Sequence, residues 1–284
     1  MAAARSIRAG AAAVIAIVVI IAALAISKAL HVNFRTPGSS SCLVHGGTFD
    51  VPLDATQARI AATIAGVAAH RSMPVRAVTI AYAAALQESD LQNLPYGDRD
   101  SVGVFQQRPS AGWGSRRQLL NPVYATTRFF AALAAVPSYL RLPIYRAAQA
   151  VQHSADGQAY SQYAPQGAAM AGGFSGRRPH AVWCWYGAPI RGRARLTAAE
   201  AELRRTFGRL AIRRGGDPVA EVRVRTAATG WAVAAWLVSH ADSFNLQSVI
   251  YQGYQWTAAH GRKGWAAARR SARQTAAHRG VAFG

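Results

Sequence analysis

The sequence predicts a mainly α-helical protein: an N-terminal transmembrane helix, then a helical domain, then a smaller α+β domain at the C-terminus. Three observations predict it. Between Arg8 and Lys28 no residue is charged, and positions 9 to 27 are nearly all Ala, Ile, Val and Leu; at about 1.5 Å per residue a helix of this length covers the hydrocarbon core of a bilayer. From Asp54 to about Ser175 apolar residues recur at helical spacing, interrupted by one polar stretch. Beyond Cys184 a helical pattern is mixed with short alternating runs such as Val222-Arg223-Val224-Arg225. The expected organisation is a signal anchor over 1–32, a linker over 33–52, a helical domain over 53–186 and a basic α+β domain over 187–284.

The elements follow in order. The apolar stretch 9–27 reads as a membrane anchor, with a cleaved secretory signal as the alternative because Ala23-Leu24-Ala25 fits a small-residue cleavage site. Residues 33 to 53 are polar and turn-rich, which suggests a tether with the fold starting near Leu53. Asp54-Ala55-Thr56-Gln57 has the form of a capping box opening a helix through Ile60, Ile64 and Val67. Pro74 suits the first turn of a second helix, whose stripe Val75, Val78, Tyr82, Leu86 runs into Gln87-Glu88-Ser89. Asp90 to Gly103, dense in Asp, Gly and Asn, reads as loop. Pro122 opens a helix through Ala135, Pro143 another to His153, and Gln158 to Met170 is a weaker one. Further on, a helix over Thr197 to Gly208, a strand at Val222 and Val224, a helix over Trp231 to Ser239 and a strand over Leu246 to Tyr251 are expected.

Charge narrows the partners. There are 32 Lys+Arg against 12 Asp+Glu, a net +20, and only Lys28 and Lys263 are lysines. Arg191 to Gly284 alone carries 16 basic and 5 acidic residues, hence +11. Such a balance favours anionic partners: nucleic acid, acidic lipid headgroups or wall polymers. No nucleic-acid module with basic residues interleaved among stacking aromatics is visible, so nucleic acid is not expected. One apolar span without intramembrane polar groups offers no transport pathway. The two cysteines, Cys42 and Cys184, follow the apolar span. An even pair in an exported chain reads as a disulfide, the alternative being two buried thiols. The expected location is the cell membrane, single-pass, with the bulk of the chain outside the cytoplasm. No metal or other cofactor is expected, because no Cys/His phrase has zinc spacing.

The segment Ala85-Leu86-Gln87-Glu88-Ser89-Asp90-Leu91-Gln92-Asn93-Leu94, with Gly103-Val104-Phe105-Gln106, resembles the lysozyme-like soluble lytic transglycosylase family. The longer phrase from Gln87 through Gly97-Asp98-Arg99-Asp100-Ser101 and Gln106-Gln107-Arg108-Pro109-Ser110 to Gly112-Trp113-Gly114 is similar to the lysozyme-like region of membrane-anchored envelope proteins of high-GC Gram-positive bacteria. The resemblance covers about Cys42 to Cys184. It implies a lysozyme-like helical domain that cleaves the MurNAc-GlcNAc glycan of peptidoglycan, with Glu88 as the acid that protonates the leaving oxygen and then the base that takes the proton of the substrate's C6 hydroxyl. Glycoside cleavage needs such a carboxyl, and an apolar helix face and a helix C-terminus both disfavour the ionised form. A hydrolase would need a second carboxylate, for which Asp98 and Asp100 are available; an ion-paired turn Asp98-Arg99-Asp100 is the other reading. Ser89 accompanies Glu88 in the motif. Asn93, Ser101, Gln106 and Gln107 have polar groups suited to sugar hydroxyl and N-acetyl groups, and Tyr96 and Trp113 flat faces for pyranose rings. Phe105, Phe129 and Phe130 read as core.

Gly230-Trp231 through His240-Ala241, with Val249-Ile250-Tyr251 and Trp256, resembles the C-terminal domain often joined to this region, which in intact versions is similar to zinc-dependent peptidoglycan carboxypeptidases. Here Arg209 to Thr229 contains no His, and the terminal stretch keeps only His278 where a pair is expected. The basic part therefore reads as a degenerate, metal-free module holding anionic wall polymers or lipid headgroups. The alternative for the whole chain is a non-catalytic peptidoglycan-binding or scaffold protein of the envelope.

Overall fold

In the computed structural model, which describes residues 39–154, 157–215, 219–268 and 280–284, the first element is a strand rather than a tether. β1 (Ser41–His45) and β2 (Asp50–Asp54) pair antiparallel, with Cys42 opposite Leu53 and Val44 opposite Val51. In β2 the alternation is strict, Val51 and Leu53 inward and Asp50, Pro52 and Asp54 outward. β3 (Val182–Trp185) joins the other side of β1 and puts Cys184 directly opposite Cys42. The two are disulfide-bonded across a separation of 142 residues and fully buried.

The helices between these strands form largely where the periodicity puts them. α1 (Ala55–His70) opens on the Asp54/Gln57 capping box, in which each side chain bonds the other's backbone N–H. α2 (Val75–Ser89) starts after Pro74 and buries Val78, Tyr82 and Leu86. A single turn, α3 (Arg116–Leu119), precedes α4 (Pro122–Ala135), capped by Asn121. α5 (Ile144–Gln152), a 3-10 segment (Gly157–Tyr163) and α6 (Ala164–Phe174) complete this part. Phe105 stacks on Phe129 at 4.5 Å, with Phe130 edge-on to Phe129, all three buried.

After β3 come α7 (Leu196–Phe207), β4 (Ala211–Arg214), β5 (Ala220–Arg223), α8 (Ala227–Ser239), the short α9 (Ala241–Phe244), β6 (Ser248–Tyr251), β7 (Tyr254–Thr257), β8 (Ala266–Ala267) and β9 (Gly280–Phe283). Six of these strands form one antiparallel sheet in the order β4-β5-β9-β6-β7-β8. The apolar α8 packs on β3, β6 and β9 and also on α1 and α6.

The fold class is thus corrected. The protein is α+β, with antiparallel sheets of three and six strands, rather than a mainly α, lysozyme-like helical protein behind a transmembrane helix. Among the described residues no helix is long and apolar enough to cross a membrane, and positions 9–27, on which that expectation fell, lie outside the described residues. The strands escape a reading by period because most have four or five residues, too few for an alternation to stand out.

Ser40–Gly284 packs as one compact unit. A continuous core runs from Cys42 to Phe283 across position 186/187. Two features tie its parts. At Gly66 a Cβ would come within 2.4 Å of Thr206 Cγ2, so only glycine lets α1 approach α7 this closely. The Arg59 guanidinium, on α1, grips both oxygens of Asp242, on α9, at 3.1 and 2.9 Å.

Candidate active site

Glu88 occupies the last turn of α2. The helix stops because Asp90 and Leu91 both turn left-handed, at φ 53° and 57°, and their N–H groups close on Leu86 and Ala85. This turn leaves the Glu88 side chain half-buried beside the 3-10 segment, where the hydroxyl of the fully buried Tyr160 donates to Oε1 at 2.6 Å. No ion pair involves Glu88 among the described residues, and none of their hydrogen bonds goes to its second oxygen, Oε2. A carboxylate at the negative end of a helix is disfavoured by the aligned peptide dipoles; here one neutral hydroxyl answers it. Next to it, Gln162 donates from Nε2 to Gln87 Oε1 at 3.3 Å.

The loop after α2 is held rigidly by the polar residues that the motif points to. Ser89 is buried and its hydroxyl bonds the Val104 and Ala85 carbonyls at 2.7 and 3.2 Å, which clamps the 101–107 segment onto α2. Gln106 donates to the Gly103 and Tyr96 carbonyls. Its own amide oxygen takes the space that a Cβ on Gly97 would need, and the Ser101 carbonyl would lie 2.9 Å from that Cβ, so the loop closes tightly over Gly97. Asn93 donates to the Leu120 carbonyl at 2.8 Å, and Gln107, 2% exposed, donates to Ala125. Ser101 is buried and bonds the Asp98 carbonyl.

The remaining expected residues divide. Asp100 accepts from Arg108 Nε at 2.9 Å and from the Ser110 N–H and hydroxyl at 2.7 and 2.9 Å. The Arg108 side chain, and after it the Ser110 N–H, hold its carboxyl down at about 2. Asp98 is exposed and lies 3.9 Å from Arg99. Tyr96 stands 68% exposed on the loop. Trp113 packs partly against the core and lines a surface cavity of 210 Å³ with Arg128 and Ala132. A larger cavity, 540 Å³, lies at the start of α7. Glu88 lines neither.

The structure therefore brings Ser89, Ser101, Gln106 and Gln107 together with Glu88's helix end as ties of one loop. The residue that sequence reasoning missed is Tyr160, 72 positions from Glu88 in a Gly/Gln/Ser-rich stretch without periodicity. Its signal is only that of a large aromatic in a polar segment. No group of three or more His, Cys, Asp or Glu side chains that could hold a metal ion occurs among the described residues. His278 lies outside them.

A protein-family model described as VldE, C-terminal domain, matches residues 219–279, a range that includes β5, α8, α9, β6, β7 and β8 but none of the residues around Glu88. No curated protein matches the chain.

Proposed function

We propose that the protein cleaves the glycan of peptidoglycan with Glu88 as its single acid/base. The observation that carries this reading is the half-buried carboxyl of Glu88, with Oε1 fixed by Tyr160 and Oε2 without a hydrogen-bond partner among the described residues, at the end of α2. A general acid needs a fixed position more than a strong partner. In the proposed reaction Glu88 gives its proton to the glycosidic oxygen as the C1–O bond breaks. It then takes the proton of the substrate's own C6 hydroxyl, whose oxygen closes on C1 to form a 1,6-anhydro ring. The acid ends in the state in which it began. The placement of the other carboxylates favours this route over hydrolysis, which needs a second one: Asp100 is engaged by Arg108 and Ser110, and Asp98 is exposed beside Arg99. The buried disulfide supports an oxidising, extracytoplasmic setting, and the excess of arginine suits anionic wall polymers as partners.

The second reading, a non-catalytic envelope protein that binds peptidoglycan, is favoured by a different observation. The amide NH2 groups of Asn93, Gln106 and Gln107 are spent on holding the loop, the Asn93 and Gln107 amide oxygens are buried, and Glu88 lines neither cavity. Incubation of the purified protein with purified peptidoglycan, with the products resolved by mass, decides between them. The proposed activity releases 1,6-anhydro-muropeptides, hydrolysis releases reducing ends, and a protein that binds without release supports the second reading.

A further inference from the structure

The exposed large apolar side chains among the described residues are Phe49, Tyr96, Leu140 and Tyr254. The first three stand singly, as surface apolar residues ordinarily do. Tyr254, 39% exposed at the start of β7, belongs to a cluster of rings. Its ring lies 4.6 Å from that of His180, tilted by 34°, and 6.1 Å from that of Trp231. His180 is itself exposed, in the turn before β3, and meets Trp231 edge-on at 5.5 Å. Trp231, buried in the second turn of α8, also takes Tyr251 and Trp265 edge-on, each at 5.2 Å. Hydrogen bonds fix the rings behind the surface. The Trp265 indole donates to the Val182 carbonyl at 2.7 Å, and the Trp231 indole donates to Gln252 Oε1 at 2.9 Å. Gln252 is exposed in the two-residue turn Gln252-Gly253 between β6 and β7, where φ is 48° and 81°. Its Nε2 has no hydrogen-bond partner among the described residues.

We propose that Tyr254 and His180, with the Gln252 amide at their rim, form a stacking platform for a pyranose ring of a glycan strand. The carbon face of a pyranose lies flat on an aromatic ring, while its hydroxyl and N-acetyl groups reach polar groups at the ring's edge. Here those groups are the Tyr254 hydroxyl, the imidazole nitrogens and the Gln252 Nε2. A purely apolar partner would leave them unpaired. No arginine or lysine lies over the Tyr254 or His180 ring among the described residues, whereas Arg262 sits over Trp185 at 5.2 Å; the two exposed faces are therefore not taken by a cation of this chain. The rings are held by their neighbours before a ligand arrives, so little order has to be imposed on binding. The assignment does not rest on the role of Glu88.

Calorimetric titration of the full chain with chitotetraose, a chain of N-acetylglucosamine rings, tests it. The sugar saturates a site at about millimolar concentration. Tyr254→Ala and, separately, His180→Ala each lower the affinity by about fivefold, the loss of one stacked ring. Tyr254→Phe, which keeps the ring, stays within about twofold of the wild type. Phe49→Ala, which removes a different exposed ring from the turn between β1 and β2, leaves the affinity unchanged. Should Tyr254→Ala unfold, His180→Ala decides, because His180 lies outside any strand. The two functions separate cleanly: a protein that binds chitotetraose through these residues and releases no muropeptide keeps the platform without the Glu88 reaction. Wild-type affinity in both alanine variants overturns the platform, whatever the release of muropeptides. So does an absence of saturation, or a Phe49→Ala variant that binds as weakly as Tyr254→Ala. Displacement of chitotetraose by octathymidylate at a lower concentration than its own would assign the rings to nucleobases and overturn the proposal as well.

Discussion

The C-terminal ends of α2 and α8 each carry a titratable side chain, and the two are built in opposite ways. Glu88, at the end of α2, is half-buried and has one hydroxyl donor. His240, at the end of α8, is buried, stacks on Trp236 at 3.9 Å and engages the Trp236 carbonyl through Nδ1 at 2.8 Å. Burial first, and the nearby Arg59 charge as well, push the His240 imidazole down to about 3 against the pull of that carbonyl. A helix C-terminus favours a cation and disfavours an anion, yet the histidine there is neutral and the glutamate is the accessible group. Burial and partners, not the dipole, set these two environments.

The largest effect that would break this comparison belongs to Glu88. Glu88→Gln keeps the shape and the Tyr160 contact but removes the transferable proton, so muropeptide release falls by about 10²- to 10⁴-fold, the range for loss of a general acid. The unfolding midpoint stays within the scatter of the wild type. Release that persists in this variant removes Glu88 from any catalytic role. Second in size is the buried disulfide, which sits on the same framework as α2. Cys42→Ala with Cys184→Ala opens a closure of 142 residues, and on the loop-entropy model stability falls by about 4 to 5 kcal/mol, measured by denaturant unfolding. The same variant at unchanged stability would mean that β1–β3 pairing alone closes the sheet.

How much of this was legible follows from the residues. The start of α1 was legible because Asp54 and Gln57 form a local device, readable within four positions, and Glu88 was legible at its helix end because Val75, Val78, Tyr82 and Leu86 keep a stripe up to it. The hairpin was not. Pro52 reads as a breaker, yet β2 lies at the edge of its sheet, where an absent N–H costs no ladder bond. β9 has four residues, all buried, and shows no alternation at all. The roles of Asn93, Gln106 and Gln107 were illegible for another reason: an amide that suits a sugar also suits a backbone carbonyl, and only the loop's closure at Gly97 and Gly103 shows which one it meets. Tyr160 depended on tertiary packing alone.

The third test addresses His240. Its folded value of about 3 lies below the ordinary histidine value of 6.5, so between the two the unfolded chain binds a proton that the folded chain refuses. Stability is therefore full above pH 6.5 and falls as the pH drops below it, by about 1.4 kcal/mol per pH unit from this group. Unfolding curves at pH 7, 6 and 5 for the wild type and His240→Phe measure it. The variant loses the bond to the Trp236 carbonyl at every pH but has the shallower slope. Equal slopes would show that His240 takes up its proton while folded, and the contrast with Glu88 would fail.

The smallest effect is the sharpest for the site itself. Tyr160→Phe deletes one oxygen and keeps the buried ring, so the cost in stability is that of one hydrogen bond, about 1 kcal/mol. If the hydroxyl only fills space, release of muropeptides is unchanged. If it positions the carboxyl, as the 2.6 Å bond to Oε1 implies, kcat falls by about tenfold while KM holds, since a misplaced acid costs the transition state more than the bound substrate. A fall in kcat matched by an equal rise in KM would place the contribution of Tyr160 in packing rather than in holding the proton donor.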